Sequence, residues 1–148
     1  MRLSEHFNLH EFEFSEIAAR NGWENTPAPD CTPRLIDLCD HILEPVWEHF
    51  GPVHSTSGYR CLKLNRALGS LDTSQHVMCE ADDFVVATAS PLEVCNWIVK
   101  NLKFDQCIHE FGRWTHVSYS TRHALRNEAL TIFKENGKTK TIRGIAEV

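Results

Sequence analysis

Apolar residues recur at three- to four-residue spacing through the first third of the chain, a pattern that indicates amphipathic helices packed on a core. Thr32 and Pro33 predict the start of the longest helix, as a cap followed by a first-turn proline, and Pro45 predicts a kink within it. Ser15 predicts the cap of a shorter helix that ends near Gly22. The apolar face of the long helix is formed by Leu35, Leu38, Ile42, Val46 and Phe50.

Two further helices are predicted in the middle of the chain. One covers residues 61–68 and is closed by Gly69, because glycine commonly ends a helix in the left-handed conformation. The other begins at the Ser90-Pro91-Leu92-Glu93 capping box and runs to about Leu102.

Short runs of β-forming residues predict strands over residues 53–57 and 80–86, followed by two hairpins. Gly112-Arg113 joins the strands of the first hairpin, over 106–111 and 114–120. Asn136-Gly137, a strong turn signal, joins those of the second, over 130–135 and 138–142. Helices come first and strands later, so we predict an α+β fold with N-terminal helices packed on a small antiparallel sheet.

The composition is that of an ordinary globular domain, with 42% hydrophobic and 24% charged residues. The length predicts a single domain over residues 1–148. Fifteen basic against twenty acidic residues give a net charge of −5, which argues against a nucleic-acid partner. No apolar run approaches the ~18 residues of a membrane span, so no membrane partner is expected. The polar N-terminus lacks the apolar segment of a secretory signal, so we expect synthesis in the cytoplasm.

The six cysteines include no CxxC pair. For a chain expected in the cytoplasm, they are interpreted as reduced thiols rather than as disulfides or a structural zinc site.

The strongest chemical signal is a set of two histidines and one aspartate. His76 ends a polar loop, Asp83 lies seven residues later in a predicted strand, and His116 lies in another strand. Two imidazoles and one carboxylate with a fourth position left open are typical of catalytic zinc sites.

Three motifs around these residues carry a resemblance to a known family. They are the Ser-Gly-Tyr-Arg segment 57–60, the segment 74–83 that contains His76 and Asp83, and Trp-Thr-His-Val-Ser at 114–118. With them the chain resembles the zinc D-Ala-D-Ala peptidases of the M15 type, particularly the compact phage and bacterial cell-wall peptidases. The hedgehog signalling domain shares this metal-site architecture, so fold and ligands alone do not establish hydrolysis.

The resemblance implies a role for each matching residue. His76, Asp83 and His116 would hold one Zn²⁺ per chain, Glu110 would be the general base, and Arg60 would contact the substrate. Zinc would acidify its bound water and polarise the scissile carbonyl, while Glu110 would move the proton.

The function implied is hydrolysis of peptidoglycan stem peptides, at a D-Ala-D-Ala or an L-Ala-D-Glu type bond. A phage lysis protein that reaches the wall through a separate pore fits this reading, and we expect a monomer. The alternative is a non-catalytic zinc-containing module for binding or virion structure.

The placement of Glu110 depends on the length of the first hairpin turn. A two-residue turn would pair His109 with His116 and point Glu110 to the other face of the sheet. A three-residue turn or a bulge would bring Glu110 onto the face that carries His116.

The chain departs from the family pattern at two positions. Cys79 replaces a glycine, and would be strained if the backbone there has a positive φ; its thiolate could also compete as a metal ligand. Asp82 replaces a small apolar residue. Because successive side chains of a strand point to opposite faces, Asp82 is expected to face away from Asp83, toward solvent.

Overall fold

The computed structural model describes residues 1–148 and contains six α-helices and six strands, which confirms the predicted α+β class. The helices are α1 (Leu9–Glu13), α2 (Glu16–Arg20), α3 (Thr32–Leu38), α4 (Glu44–Phe50), α5 (Leu62–Ala67) and α6 (Pro91–Asn101). The strands are β1 (Val53–Ser57), β2 (Ala81–Val86), β3 (Gln106–Glu110), β4 (Trp114–Ser118), β5 (Glu128–Glu135) and β6 (Lys138–Arg143). None of the helices combines the length and the apolar character needed to span a membrane.

The long helix predicted from residue 32 is divided by a π-helical turn over Cys39–Leu43. Pro45 follows this turn in the first turn of α4. Since proline has no N–H and its ring would clash with the carbonyl four residues earlier, the wider π-turn is how the helix accommodates it. The predicted cap at Thr32 is wrong, because a 3₁₀ turn over Pro29–Cys31 leads straight into α3 and Thr32 is already helical.

The caps predicted for two other helices are confirmed. The Ser15 hydroxyl accepts a hydrogen bond from the Ala18 N–H at the start of α2. The capping box of α6 is formed by Ser90 and Glu93, each bonding the backbone N–H of the other.

The sheet has the strand order β1-β2-β4-β3-β5-β6 and is mixed rather than purely antiparallel, because β3 and β5 run parallel. Both edges of β4 are occupied, by β2 and β3. The edges of β1 and β3 are then free, and the next strand joins at that of β3. It starts beside the beginning of β3, where β4 ends, and must run in the same direction. The sequence pattern did not predict this parallel pair.

The β5–β6 hairpin has the predicted two-residue turn. Glu135 pairs with Lys138, and Asn136 and Gly137 have φ values of 52° and 77°. Positive φ at both positions is the conformation that favours Asn-Gly.

One face of the sheet is covered by helices and forms the core. Phe84, Cys107 and Val117 point from the strands into a cluster of 19 buried residues that includes Leu38 and Ile98 from α3 and α6. Full burial of a leucine or phenylalanine side chain contributes about 1.5–3 kcal/mol, so this face provides much of the fold's stability. The opposite face is left to carry polar side chains.

Candidate metal centre

Three side chains converge on the face of the sheet opposite the core. Asp83 of β2 and His116 of β4 are direct cross-strand partners, and His76 reaches them from the loop that precedes β2. Their ligand atoms all lie within 4.8 Å of one another, and all three residues are buried. The structure thus brings together the three residues singled out from the sequence, while their role as zinc ligands remains a prediction.

His76 is oriented by the backbone of Gly58. Its Nδ1 lies 2.7 Å from the Gly58 carbonyl oxygen, which can only accept, so Nδ1 carries the proton. The lone pair is therefore on Nε2, which lies 3.4 Å from Asp83 Oδ1. A side chain at Gly58 would place Cβ only 2.8 Å from Phe12 Cα, so glycine is required for this close approach.

Asp83 carries its charge although it is buried. Burial alone would raise the pKa of its carboxyl, but the neighbouring His76 and His116 imidazoles hold it well below the usual range. His116 Nδ1 lies 2.8 Å from Asp83 Oδ1, and burial, which lowers the pKa of His116, is outweighed by this contact.

The donor set fits a zinc ion. Two nitrogen atoms and one carboxylate oxygen lie within 4.8 Å of one another, and these are ligand types that Zn²⁺ accepts in open, three-ligand sites. Sheet pairing holds Asp83 and His116, and a hydrogen bond to the backbone holds His76. The three ligand groups are therefore preorganised.

Glu110 lies on the same face, because the β3–β4 turn has three residues. Glu110 pairs with Trp114 across residues 111–113, and Ile108 rather than His109 pairs with His116. Glu110 Oε1 consequently lies 3.9 Å from His116 Nδ1. Burial and the nearby negative charge of Asp83 raise the pKa of Glu110.

His109 points to the opposite face of the sheet. It is buried there, and its Nδ1 bonds the carbonyl oxygen of Ala146 at 2.8 Å. The alternative left open by the sequence is therefore decided in favour of the three-residue turn, which needs positive φ at Phe111 (56°) and Gly112 (68°).

Arg60 borders the same centre with its guanidinium held in place. Its Nη2 lies 3.4 Å from Asp83 Oδ2, and its Nε donates to Ser57 Oγ at 3.1 Å. Asn65 and Ser70 accept from its Nη1 at 3.5 and 3.4 Å. A positive charge fixed in this way can stabilise negative charge that develops beside the metal ligands.

The expectation that Asp82 faces solvent is wrong. Asp82 does point away from Asp83, but the face it points to is the one covered by helices, and the residue is fully buried. Ser55 Oγ donates to its Oδ1 at 2.5 Å, while its Oδ2 has no hydrogen-bond partner. Burial raises the pKa of this carboxyl well above its usual range.

Cys79 has a φ of 61°, so the position that the family pattern gives to glycine does require the left-handed conformation. A non-glycine residue there carries a strain of order 1 kcal/mol. The Cys79 side chain is part of the buried core and is not among the converging ligand atoms, so it does not compete for the metal.

A network of two buried acids and two exposed arginines supports the loop that carries His76, and sequence reasoning missed it. Arg122 donates to both carboxylate oxygens of Glu80 at 2.8 and 2.7 Å. Arg126 contacts Asp105 in the same way at 3.1 and 2.6 Å. The amide of Gln75, next to His76 in the chain, donates to Asp105 at 2.9 Å. The position of Glu80 beside a buried strand was a usable signal, because a fully buried carboxylate needs a partner. The sequence does not show, however, which arginine is that partner.

A cleft of about 1460 Å³ opens over the centre. His76, Asp83, Glu110, His116 and Arg60 all line it. Phe14 and Leu71, which are 59% and 77% exposed, are among the apolar groups that line it. A solute of peptide size can therefore reach the ligand atoms.

A family model described as Peptidase M15 matches residues 5–118. The matched segment contains all three converging ligands, Glu110 and Arg60, and it ends with β4. No curated protein matches the chain.

Proposed function

The chain belongs to the peptidase M15 family, and on this premise we propose that it is a zinc-dependent metallopeptidase that hydrolyses the stem peptides of bacterial peptidoglycan. The observation that carries the proposal is the convergence of His76 Nε2, Asp83 Oδ1 and His116 Nδ1 beside a partly buried glutamate in an open cleft. Family membership supplies the peptidase class, and the three-ligand geometry supplies a place for the metal.

His76, Asp83 and His116 would hold the ion. When bound, zinc supplies Lewis acidity toward a carbonyl oxygen and makes water a stronger acid. Three protein ligands leave room in the coordination shell for water or substrate, which distinguishes a catalytic from a structural zinc site.

Glu110 is the proposed general base. Its carboxylate would take a proton from the attacking water and deliver it to the amine nitrogen as the C–N bond breaks. The pKa of its carboxyl is raised toward neutral pH, which suits a group that must both accept and return a proton. A positioned acid–base group of this kind typically contributes about 10²–10⁴-fold in rate.

Arg60 is the proposed electrostatic partner of the substrate. Because four side chains hold its guanidinium, it would not have to be ordered when the substrate binds. Its fixed charge would favour the tetrahedral intermediate, whose oxygen becomes negative, over the neutral peptide.

The bond we propose is either the terminal D-Ala-D-Ala bond or an L-Ala-D-Glu type bond. The setting we propose is lysis of the bacterial wall by a phage-type or bacterial enzyme of compact size. Both rest on the likeness of the motifs at 57–60, 74–83 and 114–118 to those of cell-wall peptidases.

The test is digestion of purified peptidoglycan by the zinc-loaded protein, with the products identified by mass spectrometry. Glu110→Gln should retain zinc and lose at least about 10²-fold in rate. Glu24→Gln, which removes a carboxylate from an exposed position, should match the wild type. Zinc binding without any new stem-peptide product would instead favour the non-catalytic zinc module.

A further inference from the structure

Two cysteines meet where the loop that carries His76 passes the start of α3. Cys31 ends the 3₁₀ turn that leads into α3, and Cys79 lies between His76 and the start of β2. Their thiols are within hydrogen-bonding reach of each other, and both are free in the structure. Because the two residues are 48 positions apart in the chain, a bond between them would join two separate segments.

A second contact holds the same two segments together. Arg34, in the first turn of α3, donates from Nη1 to the carbonyl oxygen of Met78 at 3.2 Å. Arg34 follows Cys31 by three residues, and Met78 directly precedes Cys79. The thiols are therefore neighbours because the backbones that carry them pack against each other.

The backbone at Cys79 makes a cysteine there unusual. Its φ of 61° is a conformation that glycine adopts without strain and that a residue with a Cβ does not. The thiol lies in the core cluster and takes no part in the metal centre. The Cys31 thiol is thus the reactive partner that the structure gives it.

The two thiols differ in exposure in the way that oxidation requires. Cys31 is partly exposed and Cys79 is buried, so a small oxidant in solvent reaches Cys31 first and Cys79 is placed to attack the product. A second pair of contacting thiols, Cys95 and Cys107, offers no such entry, because both residues are fully buried.

We propose that Cys31 and Cys79 form a disulfide when the folded chain meets a low-molecular-weight disulfide such as oxidised glutathione. The Cys31 thiolate attacks one sulfur of the oxidant, whose S–S bond breaks, and one glutathione leaves as a thiolate. The sulfur of Cys79 then attacks that of Cys31, and the second glutathione leaves. Two protein thiols are oxidised to one disulfide, the oxidant is reduced to two thiols, and the protons given up by the cysteines end on those thiols.

The bond requires the sulfurs to be about 2.05 Å apart, closer than two thiols in contact. We assign the movement to Cys31, since residues 23–28 ahead of its 3₁₀ turn form no helix or strand. Disulfides rarely persist in the cytoplasm, so the cysteines are reduced while the chain is made and the bond forms in a later, oxidising setting. Only this setting rests on the proposed function.

The test is disulfide mapping of the zinc-loaded full chain after equilibration with excess oxidised glutathione. Free thiols are blocked with N-ethylmaleimide, and the digested chain is examined by mass spectrometry. The wild type should yield a peptide that joins Cys31 to Cys79. Cys31→Ser and Cys79→Gly should each lose it completely. Cys61→Ser, which removes another partly exposed thiol, should form it to the same extent as the wild type.

Two results would overturn the assignment. One is a wild type that stays reduced or stops at a mixed disulfide of Cys31 with glutathione. The other is a folded chain whose cross-link joins a different pair, such as Cys95 and Cys107.

Thermal unfolding tests whether the bond fits the folded structure. A disulfide that closes a loop of this length restricts the unfolded chain, so the melting temperature of the oxidised wild type should rise by about 5–15 °C and return on reduction with dithiothreitol. Cys31→Ser should melt at the same temperature in both buffers. A cross-linked wild type that melts no higher than the reduced protein would contradict the proposal.

This proposal and the proposed function fail separately, because neither readout measures hydrolysis. A chain that forms the Cys31–Cys79 bond but does not digest peptidoglycan would retain the disulfide site and lose the peptidase function. A chain that digests peptidoglycan and forms no such bond would do the reverse.

Discussion

Glu110 and Trp114 face each other across a three-residue turn, and this pairing puts Glu110 on the same face of the sheet as His116. A turn one residue shorter would have sent His109 there instead, because side chains alternate along a strand. The candidate general base is therefore placed by the length of a turn, and Phe111 and Gly112 supply the positive φ values that the turn needs.

Gly58→Ala should damage the metal centre although Gly58 bears no ligand. The new Cβ would lie 2.8 Å from the Phe12 backbone, so the segment that bonds His76 Nδ1 must move. We expect a loss of about 1–3 kcal/mol in the free energy of unfolding and weaker zinc binding. Chemical denaturation and zinc titration measure the two effects.

Gly137→Ala is the control for that variant. Its φ of 77° makes alanine strained, but no atom lies within 4 Å of the new Cβ, and the residue is in the distant β5–β6 turn. It should cost about 1 kcal/mol and leave zinc affinity unchanged. Equal zinc affinity in Gly58→Ala and wild type would mean that the Gly58 carbonyl does not hold His76.

Cys79 offers a test in which a glycine variant should be more stable than an alanine variant, the reverse of the usual order of stability. Both Cys79→Ala and Cys79→Gly remove the buried thiol, but only glycine relieves the left-handed backbone at φ 61°. Cys79→Gly should therefore be more stable than Cys79→Ala by about 1 kcal/mol in urea denaturation. Greater stability of the alanine variant would show that the position is not strained.

The acid–arginine network predicts a loss of stability in acid. Burial would raise the pKa values of Glu80 and Asp105, but hydrogen bonds from Arg122 and Arg126 lower them below the ordinary 4.5 and 3.8. Since the folded-state pKa values are the lower ones, this stabilisation is complete above about pH 5 and is lost as the pH falls through them.

The measurement is the free energy of unfolding between about pH 6 and pH 3 for Glu80→Gln and Asp105→Asn. Each variant should be about 1–3 kcal/mol less stable near pH 6, with the difference shrinking toward pH 3. Asp72→Asn, which breaks the exposed Arg66–Asp72 pair, should show almost no effect. A constant difference across the range would mean that ionisation of these carboxylates does not stabilise the fold.

The sequence was informative wherever the relevant signal is local. Ser15, Ser90 and Asn136-Gly137 determine caps and a turn through their own side chains and backbone preferences, and these predictions are confirmed. The triad is not a local signal, since His76 and His116 are 40 residues apart; the motifs that contain these residues and Asp83, through their resemblance to a known family, selected three residues that meet in space.

Prediction failed where the answer depends on elements distant in the chain. Alternation correctly turned Asp82 away from Asp83, but only the packed structure reveals that helices cover that side. The parallel pairing of β5 with β3 depends on which sheet edge is free. The partners of Glu80 and Asp105 lie 42 and 21 residues away, a separation that no local pattern encodes.

The central claim is that His76, Asp83 and His116 form one metal site, and the most direct test is zinc content by mass spectrometry after dialysis. Asp83→Asn and Asp82→Asn make a matched pair, because the two residues are neighbours on opposite faces of β2. The wild type and Asp82→Asn should each retain about one zinc per chain, and Asp83→Asn should lose it, with circular dichroism confirming that all three fold. A wild type without zinc, or an Asp83→Asn variant that retains it, would contradict the account.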